Sequence, residues 1–144
     1  MNRQPGRRSS LFLLELMIAI FFFILASAIC ILLFVKAHTL ENDSLNLNQA
    51  VHACTSAAEI LRSQEEPLSL FSELYPDGAL EKDGFCAYFN DSWQPCTVSD
   101  SVFVMHLQFS DKEHLRSGEI VVSSPEDTLY SLHVEKHLAK EVLP

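Results

Sequence analysis

Between Leu11 and Arg62 the sequence contains neither glycine nor proline, so nothing in that stretch interrupts a helix. The chain also lacks a Gly-rich phosphate loop, a C-x-x-C pair, a Ser-His-Asp ordering and a paired-carboxylate motif. Internal repeats and low-complexity tracts are absent as well. These absences point away from an enzyme and from any cofactor or metal. Basic residues are scarce, 10 Lys and Arg against 19 Asp and Glu. From Ala37 onward the count is 18 acidic to 6 basic, a net charge of −12. Such a surface repels phosphates, so no direct contact with nucleic acid is expected. Its simplest use is to keep a domain soluble.

Charge is missing where the chain is most apolar. The 25 residues from Leu11 to Val35 include no Lys, Arg, Asp, Asn, Gln or His, and Glu15 is their one ionisable carboxylate. As a helix this run is about 37 Å long, against a hydrocarbon core of about 30 Å, which predicts a membrane span. Arg3, Arg7 and Arg8 precede it with no acidic residue among them, whereas Lys36 is soon followed by Glu41 and Asp43. Basic flanks stay inside. The N-terminus is therefore expected in the cytoplasm, and the acidic C-terminal part outside the cell membrane. The run is too long for the apolar region of a secretory signal, and Ala26-Ser27-Ala28 is followed by more apolar core.

The chain divides into four segments: a basic cytoplasmic leader (1–10), the transmembrane helix (11–35), an amphipathic continuation of it (36–63) and a small extracytoplasmic sheet domain (64–144). In the continuation, Leu47, Val51, Cys54, Ala58 and Leu61 recur at helical spacing, widened by Ala50, Ala53 and Ala57. Pro67 bars simple extension. Residues 68–80 read as a short helix or loop closed by Pro76-Asp77-Gly78. The period then changes to two. Gly84–Phe89 alternates loosely, Val102–Phe109 cleanly with Phe103, Met105, Leu107 and Phe109 on one face. Glu119–Ser123 is β-rich, and Leu129–Leu138 alternates with Tyr130, Leu132, Val134 and Leu138 inward. Three or four strands in an antiparallel meander need a cover, and the amphipathic half of the helix supplies one. The expected fold class is α+β.

A carboxylate inside an apolar run is costly, about 2.5–3.5 kcal/mol near mid-membrane and less near an edge. Glu15 lies one turn inside the cytoplasmic edge, either reaching the headgroups or meeting a cationic partner. The string from Arg7 through Ser10, Leu11 and Glu15 to Ile20 resembles the N-terminus of type IV prepilins and pseudopilins, a degenerate form of the prepilin cleavage and methylation motif. The resemblance implies cutting between Ser10 and Leu11 by a prepilin peptidase. Glu15 then falls fifth in the mature chain, where the family's carboxylate meets the N-terminus of a neighbouring subunit. The new α-ammonium on Leu11 is a fitting partner for a carboxylate in a low-dielectric bundle. The function implied by the resemblance is that of a structural subunit of a type II secretion, type IV pilus or competence (DNA-uptake) apparatus. Its partners would be the lipid bilayer, prepilin peptidase and other pilin-like subunits. Ser10 stands where the family usually has Gly, Leu11 where Phe or Met is commoner, and the span lacks the Pro of many major pilins. These departures favour a minor or pseudopilin-like component. The competing reading is an uncleaved, single-pass anchor for an extracytoplasmic binding or accessory domain.

Cys86 and Cys96 flank a turn-rich stretch of the expected outer domain, where a disulfide is expected over a zinc site, because no histidine cluster lies nearby. Cys54 is expected as a buried small hydrophobe on the helix stripe, and Cys30 lies in the span with packing or palmitoylation as its uses. His133 and His137 fall on a strand pattern and point to solvent. Trp93, beside a turn, is expected to cap the sheet.

Overall fold

The computed structural model describes residues 6–138, with side chains from residue 9 onward. Arg3 of the expected leader lies outside the described residues, as do the side chains of Arg7 and Arg8. The chain forms two compact units, Met1–Asp43 and Ser44–Pro144, and helix α1 (Gly6–Ser63) contributes to both.

In the first unit α1 has no partner element among the described residues. Every large apolar side chain between Leu11 and Val35 is exposed, from 46% at Leu16 and Leu25 to 76% at Phe34. Ser27 returns its hydroxyl to the Phe23 carbonyl at 2.8 Å, so even this polar group is satisfied within the helix. The helix is long and apolar enough to cross a membrane, which is compatible with a single-pass anchor.

The second unit is α+β. The last turns of α1 pack on one antiparallel sheet of five consecutive strands, joined by the short helix α2 (Pro67–Leu74). The strands are β1 (Ala79–Glu81), β2 (Gly84–Phe89), β3 (Phe103–Lys112), β4 (Leu115–Ser123) and β5 (Thr128–His137). The meander thus has one strand more than the periodicity announces. Strand β1, only three residues long and exposed throughout, is too short to carry an alternation.

Alternation places Phe103, Met105 and Leu107 of β3, Ile120 and Val122 of β4 and Val134 of β5 in the core. Phe85, Ala87 and Phe89 join them from β2. The helix face that meets them is Ala50, Cys54, Ala57, Ala58 and Leu61. This differs from the expected stripe: Leu47 is 44% exposed and Val51 only half-buried. The buried line is made of small side chains, which let the helix lie close to the sheet. A Cβ on Gly118 would stand 3.0 Å from the Leu61 side chain. Strand β2 approaches β3 more tightly still. A Cβ on Gly84 would fall 1.9 Å from the Leu107 carbonyl oxygen, a position only glycine can fill without moving backbone.

Two devices tie the ends of this helix segment to the sheet. Near its start, the Trp93 indole stacks on Phe103 (centroids 4.2 Å apart) and donates from Nε1 to Asn46 Oδ1 at 3.1 Å. Trp93 holds a left-handed backbone (φ 59°), with Asn90 Oδ1 accepting from the amides of Ser92 and Gln94 to brace the turn. From Trp93 an unbroken aromatic series runs through Phe89, Tyr75 and Phe85 to Phe71 on α2, with neighbouring centroids 5.6–6.4 Å apart. At the far end, Arg116 of β4 is buried to 5% exposure. It donates to the Gln64 and Glu65 carbonyls at 2.8 and 2.9 Å, and more weakly to that of Leu61 at 3.4 Å. The Leu61 carbonyl belongs to the last turn of α1, whose carbonyls a helix end leaves without partners, and those of Gln64 and Glu65 follow directly after it. Both Asp111 carboxylate oxygens accept from the same guanidinium at 2.8 and 2.9 Å.

Candidate functional site

Two places carry chemistry. The first is Glu15, an exposed residue of α1 set among exposed apolar neighbours. Helical geometry stacks Leu11 and Glu15, four residues apart, on one face. Ser10 and Leu11 also lie on the continuous helix, which begins at Gly6. Among the described residues Glu15 makes no ion pair within the chain.

The second place lies on the sheet face turned away from α1. Antiparallel register sets Cys86 of β2 opposite His106 of β3 on one side and Ala79 of β1 on the other. Glu81, two residues along β1 from Ala79, is its diagonal neighbour on the same face. The Cys86 sulfur stands 2.9 Å from His106 Nδ1 and 3.0 Å from Glu81 Oε1. All three ligand-type atoms lie within 4.8 Å of one another. Cys86 is buried, whereas Glu81 and His106 are exposed. A shallow depression of about 250 Å³, lined by His106, Gln108, Glu119 and Val121, adjoins the imidazole.

Burial, and then the hydrogen bond and negative charge of Glu81, push the Cys86 thiol up to about 12. That opposes nucleophilic catalysis, which needs a thiolate near neutrality and a carboxylate on the far side of the imidazole to orient it. Here the carboxylate touches the sulfur instead. Burial also pushes the Cys54 thiol, on the helix stripe, up to about 11, in keeping with an inert packing role.

The expected Cys86–Cys96 disulfide is not formed in this structure, where all four cysteines are free. Phe89 pairs with Pro95, and the Cys96 amide donates to the Tyr88 carbonyl. Cys96 therefore lies opposite Tyr88, diagonal to Cys86. Diagonal neighbours in a sheet sit about 7–8 Å apart, beyond the usual reach of a disulfide.

Sequence reasoning missed Glu81, Cys86 and His106 as a group because they are 5 and 20 positions apart, outside any short metal-ligand spacing. The signal that could have found them was register. Pairing Gly84–Phe89 against the clean alternation of Val102–Phe109 sets Cys86 across from His106. His133 and His137 lie on β5, and His133 stands 3.3 Å from Glu135 on the exposed surface. Comparison with known proteins finds no matching family model, no matching curated protein and no matching solved structure.

Proposed function

We propose that this chain is a minor pilin- or pseudopilin-like subunit of a type II secretion, type IV pilus or DNA-uptake apparatus, assembling through its N-terminal helix. The observation that carries the reading is Glu15, a carboxylate on an apolar helix left uncovered among the described residues of its own unit. An exposed apolar surface of this extent requires lipid or other helices around it. A carboxylate within it is costly unless it reaches the headgroups or meets a cation, and a cation is the partner that an assembly can supply. Peptidase cutting between Ser10 and Leu11 supplies one on every subunit, the α-ammonium of Leu11, and that cation is satisfied by the Glu15 of a neighbour. The unbroken course of α1 into the core of the second unit supports a role in which the helix carries an outer domain into an assembly.

Mass spectrometry of the protein recovered from its host membrane tests the reading. A mature chain beginning at Leu11 is expected. An intact Met1, in cells that carry their prepilin peptidase, would instead point to an uncleaved anchor.

A further inference from the structure

We propose that Glu81, Cys86 and His106 form a zinc site on the outer face of the sheet, with three protein ligands and a fourth position open to solvent. The site is independent of how the N-terminal helix assembles. Thiolate sulfur, imidazole nitrogen and a single carboxylate oxygen form a donor set suited to zinc. Magnesium and calcium favour all-oxygen shells. In a tetrahedral site, bonds of about 2.3 Å to sulfur and about 2.0–2.1 Å to nitrogen hold those two atoms roughly 3.5 Å apart. The contacts of 2.9 and 3.0 Å need to open by only about half an ångström to admit the ion.

Charge and position favour the same occupant. One thiolate and one carboxylate neutralise a divalent cation, with the imidazole neutral, and the chain from Ala37 onward, of net charge −12, concentrates cations around itself. Binding transfers the Cys86 proton to solvent, and its sulfur forms the metal bond. His106 coordinates through Nδ1, since that is the nitrogen facing the sulfur. Glu81 and His106 are both exposed, so a water from solvent can complete the shell. The ion would join three adjacent strands, β1, β2 and β3. The chief beneficiary is β1, a three-residue edge strand with no buried side chain of its own.

The full chain in detergent micelles, stripped with a chelator, is titrated with Zn²⁺ against a chromophoric indicator and separately with Co²⁺. One equivalent of zinc is expected to bind and to raise the melting temperature. Cobalt should give a thiolate charge-transfer band with the visible bands of a four-coordinate ion. Cys86→Ser should abolish the charge-transfer band, and His106→Gln or Glu81→Gln should each weaken zinc binding by about tenfold or more. Cys54→Ser and Cys96→Ser should change neither. Because His106 is exposed, its variant keeps the fold, which circular dichroism checks. Absence of saturable zinc binding, binding unchanged in His106→Gln, or recovery of Cys86 in a disulfide with Cys96 from host membranes would each overturn the site.

Discussion

Glu15→Leu is expected to insert into the membrane at least as well as the parent chain, yet to disappear from cross-linked assemblies in the host. The two effects have opposite signs because Glu15 acts oppositely in the two settings. In a lone helix its carboxylate opposes insertion, by up to about 2.5–3.5 kcal/mol and by less near the membrane edge. In the proposed bundle it is half of an ion pair out of reach of water. Removing one partner of a buried pair costs about 3–5 kcal/mol, because the other charge is left uncompensated. At about 1.4 kcal/mol per decade that is a loss of association of at least about a hundredfold. Glu15→Gln keeps the shape and a hydrogen-bonding group but not the charge, and should fail nearly as badly. Cross-linking through cysteines placed on α1, with total membrane protein as the control, reads both effects. Wild-type cross-linking by Glu15→Leu would favour the plain anchor, in which α1 only holds the domain at the membrane.

Arg116→Ala should destabilise the second unit by about 2–4 kcal/mol in chemical denaturation. The guanidinium closes the end of α1 by donating to the Gln64 and Glu65 carbonyls, while Asp111 takes two of its bonds. It also lies over the Phe109 ring, 5.5 Å from the centroid. Alanine removes all of these at once and opens a void beneath the helix end. Lysine is no substitute, since one ammonium cannot reach a carboxylate and two carbonyls in fixed fork geometry. The same contact sets an acid limb. The hydrogen bond from Arg116 holds the Asp111 carboxyl below the ordinary range. A carboxyl depressed in the folded state contributes stability above its unfolded value of about 3.9 and loses it as pH falls through the folded value. Asp111→Asn should therefore flatten the stability profile below about pH 4. The effect should stay near ~0.5 kcal/mol, because the Asp111 side chain is 42% exposed and solvent screens the pair.

Much of this architecture is legible in the residues, and the exceptions share a cause. The helix can be followed from composition alone, because no glycine or proline interrupts it and its apolar stretch stands apart. Strand β3 is legible for a similar reason, since Phe103, Met105 and Leu107 alternate without a fault. What escapes is whatever depends on the opposite side of a contact. Leu47 outranks Ala50 on any hydrophobic scale, yet Ala50 is the buried one, because closeness to the sheet rewards small side chains. Arg116 reads as one more solvated charge until the end of α1, 52 positions away from it at Gln64, is seen to need its donors. Cys86 suggests a bond to Cys96 when only distance along the chain is counted. The register of β2 with β3 turns it towards His106 instead.

The strictly consecutive order of the strands also dictates when each part of the second unit can form. The β1–β2, β3–β4 and β4–β5 pairings close through tight turns, so little loop entropy is lost in forming them, whereas β2 and β3 are joined by the longer segment that carries Trp93. The end of α1 depends on partners more than fifty positions later, in β4. From that separation we expect helix docking to follow the β3–β4 hairpin, on the native side of the folding barrier. Shortening Leu61 to alanine should accordingly speed unfolding several-fold while leaving the refolding rate nearly unchanged, a split that stopped-flow measurements resolve. An equal slowing of refolding would place the helix in the nucleus.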